Sequence, residues 1–553
     1  MPELVLGPLL RYVGETCATF WVETDSACEV SVLGATEPTF HVEGHHFALV
    51  RVRDLEPGKE LEYEVELDGE RAWPLEDSWM PPSRFRTHPR GEPMKVCFGS
   101  CRTAMPNHPP FTLTKDQDER GRELDALRGL AFRMKDSPCA EWPDLLLLLG
   151  DQVYADEVSP ETEKFVRSQR DMDQEPGPLA LNYEEYTHLY NEAWSEPVMR
   201  WLLSTVSSAM IFDDHDIHDD WNASQAWLEE MRASDWWDEH IVGGLMSYWI
   251  YQHLGNLSPE ELDENELFAK VREAEDGGPL LREFSLHADR EKNGTRWSYA
   301  RDLGDTRLIV IDSRCGRKLE EGSRDMLDED EWAWIEEHCA GDFDHLLLAT
   351  SLPWLLSPAM HHLEAWNEAV CGGAWGARAA KLGEKIRQEL DLEHWGAFNT
   401  SFDRLAELQR KVAAGELGKP PASVVTLSGD VHHAYLSEVA FPRGSGVQSG
   451  VFQAVCSPLR NPLDDKERRV INFMMTRPAF AIARTLSRAA GVENEPVRWR
   501  MVGEGPWFEN QVASLDLDGR RMDFRIEKAL HDEDDVNGPG EPKLECVFEH
   551  TIA

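Results

Sequence analysis

Residues 145–157 read LLLLLGDQVYADE. Five consecutive leucines between Pro143 and Gly150 are too few for a helix and predict a strand buried on both faces. Gly150 allows a sharp turn where the strand ends. That leaves Asp151 and Tyr154 on the carboxyl edge of a sheet, where open α/β folds carry their chemistry. Alone, the stretch fits two readings equally: Asp151 as a metal ligand, or Asp151 as the cap of a following helix.

Five other apolar runs decide between them, because each ends in polar residues. Residues 96–99 lead into Ser100-Cys101-Arg102, 209–212 into Asp213-Asp214-His215-Asp216, and 308–311 into Asp312-Ser313-Arg314. Residues 346–349 lead into Thr350-Ser351, and 424–427 into Ser428-Gly429-Asp430-Val431-His432. Strands alternating with helical segments imply α/β architecture from about residue 91. Gathering so many carboxylates at one sheet edge costs energy unless a cation sits among them. The inventory of thiol, phenol, carboxylates and imidazoles suits two unlike metals. Thiolate, phenolate and imidazole favour a trivalent iron-like ion, while the oxygen-only set Asp151, Asp214 and Asp430 favours calcium, magnesium or manganese.

Residues 1–90 differ in texture. Phe20 and Val22, Val30 and Val32, and then Leu61, Tyr63, Val65 and Leu67 alternate with polar residues, which predicts a small all-β sandwich. Residues 54–58 followed by the 61–67 strand resemble a corner of a fibronectin type III-like module. The expected organisation is an N-terminal sandwich domain over 1–90 and a catalytic domain over 91–553. The catalytic part carries helical, acidic insertions at 158–207 and 221–300, and a third at 358–420 with a turn at Gly372-Gly373. The tryptophans crowding the first two insertions are expected to build core. Arg468, Arg469, Arg477, Arg484 and Arg488 punctuate an apolar 471–490 helix interrupted by Pro478. It suits a membrane surface or a lid over a phosphate site, but the net charge favours a packed helix whose arginines pair with carboxylates.

Lys and Arg total 56 against 102 Asp and Glu, a net charge of −46, which argues against a nucleic-acid polymer as partner. The 10 cysteines include no CxxC pair, as expected of a reducing compartment. The N-terminal segment MPELVLGPLLRYVG lacks a basic n-region, and no run approaches the roughly 20 apolar residues of a membrane span. The expectation is a soluble cytoplasmic protein of unspecified oligomeric state.

FGSCR (98–102), GDQVYAD (150–156), DDHD (213–216) and SGDVHHAY (428–435) occur in the order found in PhoD-like (alkaline phosphatase D) metallophosphoesterases, and the resemblance covers most of residues 1 to about 460. It implies a calcineurin-like α+β sandwich behind the β domain. It also implies Fe3+ held by Cys101, Asp151, Tyr154 and His432, and a second divalent ion (Ca2+, or Mg2+ or Mn2+) held by Asp151, Asp214 and Asp430. Asp213 and Asp220 compete with Asp214 for the last role; Asp214 is taken because it directly precedes His215. His215 resembles the histidine that contacts phosphate and assists the leaving group, Arg102 resembles a phosphate clamp, and Arg314 is a further candidate phosphate contact, with Asp312 as its possible ion-pair partner. His218 and His433 are expected to support the site, His361 and His362 to lie on an exposed loop, and Asp156 and Glu157 to start a helix.

The implied reaction is in-line attack by a metal-bound hydroxide on a small phosphate ester, with His215 assisting departure. The alternatives are a phosphodiesterase acting on a nucleotide or lipid head group, and a non-catalytic metal-containing binding scaffold.

Overall fold

The computed structural model describes residues 1–291, 294–531 and 541–553. The leucine run forms the strand Leu145–Leu149, buried at every position. It pairs in parallel with Met94–Gly99 on one side and Ser207–Ile211 on the other, which explains why its residues are uniformly apolar rather than alternating. Gln511–Asp518, Arg521–Leu530 and Lys543–Thr551 extend this sheet antiparallel beyond Met94–Gly99.

A second sheet has seven strands. Tyr299–Leu303, Thr306–Ile311, His345–Thr350, Ser423–Ser428, Gly450–Val455, Ala434–Ala440 and Arg498–Trp507 follow one another in that spatial order, with the run from Thr306–Ile311 to Gly450–Val455 parallel. Apolar side chains from both sheets join one buried cluster, including Leu147 and Phe98 from the first and Leu347 and Val425 from the second. All six polar tips leave the carboxyl ends of parallel strands.

The insertions are helical as expected. Tyr183–Trp194 and Pro197–Thr205 fill the first, and Gln225–Ala233 and Trp237–Ser247 open the second. Trp194, Trp201, Trp221, Trp237 and Trp249 are buried and extend the core. Pro358–Cys371 and Ala377–Glu389 meet at the Gly372-Gly373 turn.

Residues 471–490 form no single helix. Asp465–Met474 ends at Met475, and Arg477–Ala489 starts afresh, with the Thr476 hydroxyl capping Ala479 N–H and Pro478 in its first turn. Proline is tolerated there because the first N–H groups of a helix lack partners anyway. His361 and His362 are not in an exposed loop. They are buried in Pro358–Cys371, and His362 pairs with Glu495 at 2.9 Å.

The N-terminal strands form two antiparallel four-stranded sheets. Leu4–Val13, Ala18–Thr24, His45–Val52 and Phe40–Val42 make one; Ala35–Pro38, Glu29–Val32, Val65–Leu67 and Glu70–Trp73 make the other. Phe20, Val22, Val30, Val50 and Val65 fill the space between them. The opposite face of the first sheet carries Trp21, Phe47 and Leu49, and these belong to the main core. Arg11, fully buried, donates to the Gln252 carbonyl at 2.7 Å across this junction.

Candidate metal centre

The tips are held in backbone conformations that side chains rarely adopt. Cys101, Asp151, Asp430 and His432 have φ of 57°, 51°, 65° and 51°. Each such residue costs on the order of 1–3 kcal/mol and persists only where its surroundings fix it. Asp216 supplies much of that fixing. Its carboxylate accepts from the N–H groups of Asp151 (2.9 Å), Gln152 (3.2 Å) and Asp213 (2.9 Å), and from Gln252 Nε2 (3.1 Å). One side chain thus ties the second tip to the third. The Ser100 hydroxyl accepts from Asp430 N–H at 2.8 Å and ties the first tip to the last.

The structure brings together all six residues expected to bind metal. Donor atoms of Cys101, Asp151 and His432 lie within 4.8 Å of one another, as do those of Asp213, Asp214 and Asp430, and those of Asp151, Asp214 and His215. Asp151 is common to two of these groups and Asp214 to two. The Tyr154 hydroxyl donates to Asp151 Oδ2 at 3.3 Å and accepts from Asn461 Nδ2 at 3.1 Å.

Several of these atoms are buried without a hydrogen-bond partner: Asp151 Oδ1, Asp213 Oδ2, Asp214 Oδ1 and His432 Nδ1. Buried acceptors of this kind are costly unless a cation or a donor meets them. The electrostatics agree. Burial and the neighbouring carboxylates Asp151 and Asp430 push the Cys101 thiol well above its usual range, and burial with Asp151 and Cys101 does the same to the Tyr154 phenol. Burial also raises Asp151, which faces Asp214, Asp213 and Asp216. His432 is driven down to about 3 by burial and stays neutral, the state in which imidazole binds a metal. The donor set fits a pair of cations, which would relieve all of these penalties together.

Both arginines proposed as phosphate contacts are corrected by the structure. Arg102 is buried, its guanidinium fixed on Asp125 (Nη2–Oδ2 2.8 Å) and on the Ala193 carbonyl. Arg314 is wholly buried. It does not pair with Asp312 through its side chain; Asp312 accepts only its backbone N–H. Its guanidinium bonds Asp213 and Glu393 and approaches Asp214 at 3.2 Å, so it balances the acidic cluster from behind.

Asp156, read as a helix-start acid, holds His215: its two oxygens lie 2.9 and 3.0 Å from Nδ1. The imidazole is also tilted over the Tyr154 ring at 4.7 Å between centroids. Burial opposes its charge, but Asp156 and Asp214 outweigh that and hold its pKa well above the ordinary value. Glu157 instead pairs with Arg122. Ser351 bonds Ser313 and shapes the interior.

The tips open into a cavity of about 460 Å³, lined by Asp214, His215, Asp430, His432 and His433 among others. Lys115 is the only lysine or arginine lining it among the described residues. His394, which the motifs did not reveal, also faces the cavity; it bridges Glu364 and Asp430, at 2.9 Å to each. Its sequence neighbour Glu393 binds Arg314 and Arg317. The pair lies in an insertion remote in sequence from every motif, so only the acidic-histidine doublet itself could have marked it.

Residues 129–272 match the PhoD-like phosphatase family, and residues 1–85 match a domain of unknown function, DUF7800. No curated protein matches the sequence. Among solved structures, PhoD superposes with a TM-score of 0.59 at 10% identity, over 99% of this chain and 90% of that one. A purple acid phosphatase, PPD1 from yellow lupin (Lupinus luteus) seeds, gives 0.47 at 10% identity, over 100% of this chain and 74% of that one. Residues 129–272 thus resemble the PhoD-like phosphatases in sequence, and the chain shares the PhoD fold over nearly its whole length.

Proposed function

We propose that the protein is a metal-dependent hydrolase of small phosphate esters, working through two cations. The observation that carries this reading is the shared carboxylate of Asp151, which stands between Cys101 and His432 on one side and Asp214 on the other, with Oδ1 buried and unpartnered. Cys101, Asp151, Tyr154 and His432 would hold Fe3+. Asp151, Asp214 and Asp430 would hold the second ion, Ca2+ or, in a cytoplasmic setting that the ten free cysteines suit, Mg2+ or Mn2+. Bound there, the ions supply Lewis acidity toward the phosphoryl group and an activated water.

The chain's own residues do the rest. Asp156 fixes the His215 ring and keeps its proton on hand, so that Nε2 can deliver it to the departing oxygen. Lys115 meets the ester's charge from the cavity wall in place of Arg102 and Arg314. Arg314 offsets part of the mutual repulsion among Asp213, Asp214 and Asp430, although burial still raises the pKa of Asp213 and Asp214.

Asp151→Asn is expected to abolish turnover and lower the metal content seen by elemental analysis while the protein stays folded. Turnover by fully metal-stripped wild type would refute the reading. The apolar rim residues Leu356, Leu390, Ile471 and Met474 favour a second form of it, in which the ester carries an apolar group and is a diester. Rates on a chromogenic monoester and its diester separate the two. Metal without turnover on either would leave the binding scaffold.

A further inference from the structure

The helices Asp465–Met474 and Arg477–Ala489 carry a surface that catalysis does not use. The first helix buries none of its residues, although it contains Val470, Ile471, Phe473 and Met474. Val470 and Phe473, three apart and so on one face, are 62% and 55% exposed, and Ile482 on the second helix is 59% exposed. The second helix is seated through small side chains: Ala479 and Ala483 pack on Ala359 of Pro358–Cys371. Phe480 joins that contact and lies against the His362 ring, whereas Ile482, Arg477 and Arg488 are left outside.

Charge is segregated here as well. Six basic residues stand against two acidic ones between Asp465 and Ala490, and none of residues 470–490 is a carboxylate, in a chain of net charge −46. Arg477, Arg484 and Arg488 form no ion pair among the described residues; Arg484 lies over the Phe480 ring and Arg488 bonds Asn494. The expected pairing with carboxylates holds only for Arg468 with Glu123 and Arg469 with Asp465. Exposed apolar tips among unpaired arginines match a surface that is anionic outside and apolar just beneath, which is the chemistry of a lipid interface rather than of an acidic protein. The same first helix borders the catalytic cavity through Val470, Ile471 and Met474.

We propose that this helix pair docks the protein on an anionic lipid surface and that the ester offered to the cavity is a lipid head group. The docking stands independently of the hydrolase reading, and the head-group assignment rests on it. The test uses the full chain with vesicles of phosphatidylcholine alone and of phosphatidylcholine mixed with phosphatidylglycerol. Co-sedimentation is expected with the mixed vesicles only, is lost at high salt, and falls about tenfold or more in Phe473→Asp/Ile482→Asp and in Arg477→Glu. These positions lie outside the cavity, so turnover of a soluble chromogenic ester is expected to match wild type, while release of the water-soluble head-group product (the free alcohol or its phosphate ester, left by hydrolysis of one P–O bond) from vesicle lipid falls with binding. Equal binding to neutral vesicles, no binding, or variants that bind like wild type would each overturn the docking, even with soluble turnover intact. Binding as expected with soluble turnover but no release from lipid would overturn the head-group assignment. Binding without any turnover would leave the docking in place and remove the hydrolase reading instead.

Discussion

At the scale of single residues, the centre depends on side chains that touch no substrate. Asp216 satisfies four backbone N–H groups at two tips, those of Asp151, Gln152, Val153 and Asp213, and Asp216→Ala would leave them buried and unpaired, at a cost of roughly 2–4 kcal/mol. Thermal melts should show the loss, and elemental analysis should show a parallel fall in bound metal. His215→Ala should lower kcat by ~10²–10⁴. Asp156→Asn should remove part of that, and the double variant should be no slower than His215→Ala, because Asp156 acts through the ring it holds. Steady-state kinetics on the three proteins checks this. The motifs made Cys101, Asp151, Tyr154, Asp214, Asp430 and His432 legible because glycine turns and ligand types stand together in the sequence. Asp216 and Asp156 were not legible as supports, since a carboxylate bonded to backbone N–H or to a distant ring has no spacing signature. Arg102 and Arg314 were misread for a related reason: a guanidinium beside a motif looks like an anion clamp until Asp125 or Asp213 is seen to occupy it.

At the scale of elements, the strand-to-tip turn is the vulnerable joint. Gly150 has φ +108°, and a Cβ there would come within 2.5 Å of Asp213 Cβ. Gly150→Ala should therefore combine backbone strain with a clash between the second and third tips, lowering stability by more than ~1 kcal/mol. Metal content should drop more steeply than helical circular dichroism. The buried strands were readable from their composition alone, and so was the helical nature of the insertions. The division of the C-terminal apolar stretch was not, because a proline that interrupts one helix and a proline that opens another look alike until the capping hydroxyl of Thr476 is located.

At the scale of the whole molecule, the β-sandwich and the catalytic part share ionic as well as apolar contacts. His45 bridges Glu23, within the sandwich, and Glu184, on the helix Tyr183–Trp194, at 2.8 and 2.9 Å. Burial disfavours the charged ring, but the two carboxylates prevail and raise its pKa from 6.5 to about 9. Because the folded value lies above the unfolded one, the bridge contributes in full below pH 6.5 and fades as pH rises through about 9. His45→Gln should accordingly melt below wild type at pH 6, with the gap closing by pH 10.

The shared core at that junction has a further consequence. Because Trp21, Phe47 and Leu49 face the catalytic side, the sandwich is not a detachable module. A chain begun near residue 91 would expose an apolar scar along Ser207–Ile211 and the π-helical segment Tyr248–His253, and should be recovered as aggregate. Evolution could therefore replace this sandwich only with another that fits the same imprint, so the two parts are expected to have been inherited as one unit.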